Sequence, residues 1–211
     1  RPTFMIVVPR LFEILRDKLI KAVEKQGSAA QFLLRRAIRL GERQIAGKSS
    51  PKNLPVSLLL DLTLRPKVRA RFGGRIKALV SGGAPLNLKI NQFFNGAGLN
   101  ILEGYGLTET SPILTANTFH HFRYGSVGKA IPDTELKIAE DGEILARGPQ
   151  VMLGYYKNEA ATSEVLDADG WFATGDIGHL DEDGFLFITD RKKDLIVTAG
   201  GKNIAPQPIE N

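Results

Sequence analysis

No cysteine occurs among the 211 residues, which excludes disulfides and thiolate metal sites and suits a reducing compartment. No apolar run approaches the ~18 residues that span a bilayer, so no transmembrane helix is expected. Histidine is scarce, with three in all. His120 and His121 are adjacent and point apart on any regular element, and His179 lies far along the chain, so a histidine-built zinc or base site is not expected. There is no Gly-x-Ser-x-Gly elbow, which removes the usual hydrolytic nucleophile. Internal repeats and low-complexity tracts are also missing. The chain starts at Arg1 without an initiator Met or a charged-then-apolar leader pattern, and it stops abruptly after "IAPQPIEN". Both ends are therefore expected to be cuts in a longer protein.

What is present is ordinary in bulk and uneven in distribution. Hydrophobic residues make up 43% and charged residues 24%, as in a globular protein large enough for one sizeable domain or two small ones. The net charge of +5 conceals an asymmetry. Residues 1–75 carry 17 Lys/Arg against 5 Asp/Glu, and residues 76–211 carry 11 against 18. A basic first third could attract a phosphate-rich ligand or an anionic membrane surface, or it could simply be a solvated helical face.

Residues 9–26 predict a helix, with Pro9 in its first turn, Leu11, Leu15, Leu19 and Val23 in one row, and Gly27 at its end. Pairs Glu13/Arg16 and Asp17/Lys21 are expected on its exposed side. Ser28 can cap a second helix running to about Arg43, with Arg35, Arg39 and Arg43 in a basic row. "GKSSPKNLP" reads as a loop, and 56–71 as helix on either side of Pro66. From Arg75 the pattern changes. "RIKALVS" reads as a buried strand ending in "GGAP", "LNLKINQFF" as a helix, and "LNILEGYG" as a second buried strand. Strand–helix–strand spacing predicts a parallel sheet with ligands at the carboxyl ends of its strands. From Gly125 to Thr189 no long helix is evident, and short runs alternate with "EDG", "DADG" and "DEDG" turns, as in a β-meander or barrel. "DRKKDLIVTAGGKN" then reads as a linker.

Two decoys can be set aside. "GERQIAGKS" (41–49) resembles a phosphate loop, but five residues separate its glycines where the pattern needs four, and it follows a helix. Asp167, Asp169, Asp181, Glu182 and Asp183 sit in glycine-containing turns without the spacing of a calcium loop, so turn chemistry accounts for them. The stretch "GYGLTET" (104–110) is different. Glycines flanking Tyr105 could let backbone approach a ligand closely, the ring offers a stacking face, Thr108 a hydroxyl for phosphate, and Glu109 a hard oxygen for Mg²⁺. Residue chemistry alone leaves this open between a nucleotide site and a structural turn.

"EGYGLTET" (103–110) resembles the central signature of the adenylate-forming enzymes: acyl-CoA synthetases, luciferases and adenylation domains. Four more segments resemble the same family in the family's order: "VSGGAPL" (80–86), the "GSVGKAIP…DGEILARGP…GYY" stretch (125–156), "GWFATGD" (170–176) and "DRKKDLIVTAGGKN" (190–203). Together the matches run through about 130 residues, and the last part looks most like bacterial long-chain fatty acid–CoA ligases. The resemblance implies an α/β fold, a partial parallel-sheet layer with helices over 1–118 that holds the nucleotide loop. A β-barrel-like unit would follow over 119–189, then a hinge and the start of a small C-terminal domain over 190–211.

The resemblance also implies site roles. Tyr105 would stack on adenine, with Gly83, Ala84 and Pro85 lining the adenine and acyl pocket and Glu103, Gly104, Gly106 and Leu107 framing the nucleotide loop. Thr108 would touch the α-phosphate and Glu109 would bind Mg²⁺. Asp176 would take both ribose hydroxyls, with Arg191 reaching the ribose from the other side. Asp190–Leu195 would be a hinge with Lys193 as pivot, and Gly200, Gly201 and Lys202 would enter the pantetheine channel of CoA. The plainer readings are Asp176 as a turn cap, Lys192 and Lys193 as a solvated linker run, and Trp171 as core. The implied substrates are a fatty acid, ATP and CoA, with no nucleic acid. A cytoplasmic location is expected, with peripheral contact at the inner membrane face through the basic helices, and a homodimer through exposed apolar edges. The family's Pro-Lys phosphate loop and its lysine bridging acyl carboxylate and phosphate would fall outside these residues, so the piece alone is expected to be inactive. A non-catalytic nucleotide- or partner-binding module, or an adenylating enzyme for another acid, are the alternatives.

Overall fold

A computed structural model describes residues 2–45, 53–194, 196–197 and 203–204. The chain divides into two compact units, Arg1–Leu102 and Glu103–Asn211.

The first unit begins with strand β1 (Phe4–Val7), which sequence patterning leaves unassigned, and then helix α1 (Pro9–Glu24). Pro9 occupies the first turn, where its missing N–H costs no helical bond. The buried stripe of α1 is Phe12, Leu19 and Val23, whereas Leu11 stays 40% exposed. The stripe is therefore set by the aromatic ring: Phe12 meets Phe94 edge-on at 5.5 Å, and Phe94 meets Phe93 at 5.2 Å. Each such ring contributes about 1.5–3 kcal/mol through burial. The ion pairs on α1 are Arg10–Glu13 and Arg16–Asp17 rather than the two expected pairings.

Helix α2 spans Ser28–Ile45 and presents Arg35, Arg39 and Arg43 to solvent, as the basic row predicts. Helices α3 (Leu54–Leu62) and α4 (Leu64–Arg71) break at Thr63 and not at Pro66. Pro66 is instead accommodated in the opening turn of α4, whose N–H groups lack intrahelical acceptors anyway. Strand β2 (Ala78–Ser81) pairs in parallel with β1, from Phe4↔Ala78 to Val7↔Ser81. Helix α5 (Leu88–Gly96) is capped by the Asn87 side chain, which accepts from the Lys89 amide at 2.9 Å. Strand β3 (Asn100–Tyr105) lies next to β2 in sheet order, completing the strand–helix–strand unit.

Gly41, from the discarded phosphate-loop decoy, lies inside α2. A Cβ there would overlap the Gln92 carbonyl oxygen, and one at Gly96 the Ala37 carbonyl oxygen, so these glycines set how closely α2 and α5 cross. A cavity of about 490 Å³ in this unit is lined by Met5, Leu11, Leu15 and Phe72, with Lys18 and Arg71 among its walls. On β1, Ile6 is 83% exposed. Among the described residues no helix is long and apolar enough to cross a membrane.

The second unit contains the end of β3 with β4 (Thr115–Ala116) and β5 (Lys129–Ala130), paired antiparallel in that order. It continues with an antiparallel meander of β6 (Glu135–Ile138), β7 (Glu143–Arg147), β8 (Phe172–Leu180) and β9 (Leu186–Arg191). One short helix, α6 (Glu159–Val165), lies within the stretch in which no long helix is expected. A final antiparallel pair joins β10 (Ile196–Val197) to β11 (Asn203–Ile204). The acidic turns do what turn chemistry requires. Asp167 Oδ1 accepts the amides of Asp169 and Trp171, and Asp181 Oδ1 those of Asp183 and Phe185. Trp171 is half-buried and not core, with Lys137 Nζ 3.9 Å and the Arg147 guanidinium 4.7 Å from its ring centre.

Candidate nucleotide site

Tyr105 ends β3, and its hydroxyl donates to Asp176 Oδ2 at 2.7 Å, across 71 residues of sequence. Asp176 Oδ1 in turn pairs with Arg191 Nε at 3.2 Å, and Asp176 and Arg191 are register partners on β8 and β9. The carboxylate is 7% exposed and the arginine 52%. Burial pushes the Tyr105 phenol far above its ordinary value; a bond from Thr174 pulls it down, and the Asp176 charge adds to the rise. At neutral pH it is therefore a fixed donor. The tether holds the hydroxyl end of the ring in place, which fixes where a stacking face would sit.

Asp176 owes its position to an irregularity in β8. Between the pairs Leu145↔Ala173 and Glu143↔Ile177, β8 has three residues where β7 has one. Gly175, inside this bulge, has φ +73, a conformation that favours glycine. Its amide donates to Glu143 Oε1 at 2.9 Å, while Thr174 Oγ1 bonds the Ile144 carbonyl at 2.8 Å and accepts the Asp176 amide at 3.2 Å. The second oxygen of Glu143 takes Lys192 Nζ at 2.7 Å, and Lys192 also reaches Asp141 at 2.7 Å. Lys192 is thus half-exposed but ion-paired to two carboxylates. The sequence contained the signal for Asp176 in "TGD", but nothing local marked Glu143 or Lys192 as its support.

The rest of the 103–110 loop is held by the chain itself. A Cβ on Gly106 would overlap the Pro112 carbonyl oxygen and lie 2.8 Å from Ile113 Cα; on Gly104 it would lie 3.2 Å from the Thr115 carbonyl oxygen. The returning backbone leaves no room for a side chain at Gly106 and little at Gly104, whether or not a ligand approaches the loop. Leu107 donates its amide to Thr110 Oγ1 at 2.9 Å, and Thr108–Thr110 forms a single 3-10 turn with Thr110 fully buried. Thr108 is exposed. Glu109 is half-buried; its Oε1 accepts the Tyr155 hydroxyl at 3.1 Å, and its carbonyl accepts the Met152 amide at 2.8 Å. Burial, reinforced by Glu109, raises the Tyr155 phenol. Glu109 Oε2 has no hydrogen bond among the described residues. One carboxylate oxygen beside an exposed threonine hydroxyl fits Mg²⁺, which binds through one or two carboxylates while phosphates and water fill the remainder.

Of the remaining expected site residues, Gly83, with φ +81, Ala84 and Pro85 form an exposed turn after β2 in the first unit. Glu103 is half-buried on β3. Lys193 is exposed in the 3-10 turn Lys192–Asp194. Leu195 at the end of the expected hinge, and Gly200, Gly201 and Lys202, lie outside the described residues. The structure thus joins Tyr105, Asp176 and Arg191 directly and places Glu109 with Tyr155, a residue to which sequence reasoning gave no role.

The model of the AMP-binding enzyme family matches residues 1–156. A long-chain-fatty-acid–CoA ligase, FadD15 of Mycobacterium bovis, is 43% identical over 213 aligned positions, covering 100% of this chain and 35% of its own length. Among solved structures, ATP-bound MatB from Rhodopseudomonas palustris has a TM-score of 0.69 at 27% identity, covering 100% of this chain and 35% of that one. The O-succinylbenzoate CoA synthetase MenE of Bacillus subtilis, solved with ATP and magnesium ion, has a TM-score of 0.59 at 33% identity, covering 73% of this chain and 33% of that one. The chain therefore spans about a third of the length of the relatives it matches. From the family match across 1–156 and the full-chain similarity to FadD15, the chain belongs to the AMP-binding family of adenylate-forming enzymes.

Proposed function

We propose that this chain is the nucleotide-holding portion of an ATP-dependent acyl-CoA synthetase that activates a long-chain fatty acid as its acyl-adenylate and transfers it to CoA. The observation that carries this reading is the 2.7 Å bond between Tyr105 and Asp176, residues that the family resemblance independently assigns to adenine and ribose. The Tyr105 ring stacks on adenine. Asp176 has about four lone-pair positions, two already used by Tyr105 and Arg191, which leaves acceptors for ribose hydroxyls. The half-exposed Arg191 lines the approach to it.

In this reading Gly83, Ala84 and Pro85 line the adenine and acyl pocket, and Glu103, Gly104, Gly106 and Leu107 frame the loop. Residues 1–118 hold the α/β layer, 119–189 the β-rich unit, and 190–211 the hinge and start of the small domain. Lys193 is the pivot, and Gly200, Gly201 and Lys202 serve the pantetheine channel.

Chemically, a free carboxylate is a poor acyl donor because oxide is a poor leaving group. Attack of the fatty carboxylate on the α-phosphorus of ATP expels pyrophosphate and installs AMP as the leaving group, which the CoA thiol then displaces. The protein's share is positioning and charge neutralisation. Thr108 would donate its hydroxyl to an α-phosphate oxygen, and Glu109 would hold Mg²⁺. Mg²⁺, when bound, offsets charge on the phosphates.

The full-length protein should release pyrophosphate in a manner dependent on ATP, CoA and long-chain fatty acid, while the 211-residue chain alone should show little turnover. Tyr105→Ala and Asp176→Ala should each weaken a long-chain acyl-AMP mimic by about 10- to 100-fold, as expected for loss of a stacking face or of paired acceptors. Wild-type affinity in both variants would remove the adenosine assignment.

A further inference from the structure

We propose that Tyr155 is a positioning residue for the Glu109 carboxylate, holding Oε1 so that Oε2 faces a divalent cation carried by the nucleotide. The inference rests on the preceding reading of Glu109 as a metal ligand.

A glutamate on a one-turn segment has three rotatable side-chain bonds, whose freedom is lost when a ligand orders it. Here the backbone is pinned first. The Glu109 carbonyl accepts the Met152 amide, and the adjacent Thr110 is buried and bonded back to Leu107. The remaining freedom is in the side chain, and the Tyr155 hydroxyl restrains it at 3.1 Å.

Tyr155 is itself anchored. Its amide donates to Thr162 Oγ1 at 2.9 Å, and Thr162 also bonds the Asn158 carbonyl at 2.8 Å, within a helix that Asn158 caps. Gly154 has φ +148, and a Cβ there would lie 2.8 Å from Thr162 Cγ2, so glycine suits the close approach of this segment to α6. The neighbouring Tyr156 is 88% exposed, with the Lys157 ammonium 5.2 Å from its ring centre. Of the two tyrosines in "GYY", one is built into the Glu109 site.

The donor type matters as much as the distance. A lysine or arginine at this place would neutralise the carboxylate and compete with a cation. A phenol orients one oxygen while leaving the negative charge intact, and the other oxygen carries no hydrogen bond among the described residues. That is the arrangement a single-carboxylate Mg²⁺ site needs.

The test uses the full-length protein with Mn²⁺ as probe. Free Mn²⁺ is counted by electron paramagnetic resonance in the presence of saturating ATP, and the Mg²⁺ concentration for half-maximal pyrophosphate release is measured in parallel. Tyr155→Phe should weaken Mn²⁺ in the nucleotide complex by about 3- to 10-fold, the scale of one hydrogen bond, without moving metal-free ATP affinity. Excess Mg²⁺ should recover most of the lost rate, which a merely structural defect would not allow. Tyr156→Phe should match wild type. If Glu109→Gln weakens Mn²⁺ but Tyr155→Phe does not, the Tyr155 proposal is overturned and the Glu109 reading stands. If Glu109→Gln leaves Mn²⁺ binding unchanged, both fall.

Discussion

Lys192→Met tests the support beneath Asp176. The lysine joins two carboxylates at 2.7 Å each, but the two are not equivalent. Asp141 is 48% exposed and can be re-solvated, whereas Glu143 is 10% exposed and, among the described residues, would keep only its bond to the Gly175 amide. Removing one partner of a fully buried pair costs about 3–5 kcal/mol; an exposed pair contributes about 0–1. Lys192 is itself 48% exposed, so water can reach the vacated position and the cost is discounted to about 1–2 kcal/mol. With a urea slope of about 2 kcal/mol/M, the unfolding midpoint should fall by about 0.5–1 M. Asp141→Asn should cost about 0.5 kcal/mol at most. In the double variant Lys192→Met/Glu143→Gln, the amide oxygen still accepts from Gly175 without a stranded charge, so more than half of the loss should return.

The pH behaviour follows from the same contacts. Hydrogen bonds to Asp141 and Glu143 raise Lys192, and the bond from Lys192 lowers Asp141. A lowered acid adds stability that is present above its unfolded value near 3.9 and lost as pH falls through its folded value. A raised base adds stability that is present below its unfolded value near 10.4 and lost as pH rises through its folded value. The stability curves of wild type and Lys192→Met should therefore run parallel between about pH 4 and 10 and converge outside that window. Equal losses for Lys192→Met and Asp141→Asn, or no rescue by Glu143→Gln, would refute the argument.

Gly106→Ala forces a methyl group into the Pro112 carbonyl and should cost about 1–3 kcal/mol or more, with Gly104→Ala milder; thermal unfolding within 0.5 kcal/mol of wild type would show that the loop yields easily. Tyr105→Phe should lose about 1 kcal/mol at neutral pH through its missing bond to Asp176. Because the folded phenol is raised, its contribution is present below the unfolded value near 10 and lost as pH climbs above it, so the curves of wild type and Tyr105→Phe should converge in alkali. Urea midpoints that stay parallel from pH 8 to 11 would contradict this.

Sequence alone determined what depends on near neighbours. Apolar spacing and Pro9 were enough for α1, the "RIKALVS" and "LNILEGYG" runs for β2 and β3, and the aspartates of "DADG" and "DEDG" for their own turns. The ordered motifs identified the family, and they brought Tyr105, Asp176 and Arg191 forward as one group. Tertiary structure decided what depends on chain segments meeting. Phe12, rather than Leu11, became buried because Phe94 was there to receive it. Gly106 is obligatory because the backbone at Pro112 returns across it, a distance no local pattern encodes. Tyr155 reaches Glu109 across 46 residues and Lys192 reaches Glu143 across 49. Such pairs cannot be read from spacing, because a tyrosine or a lysine in a polar stretch is chemically the same residue until the fold chooses its partner.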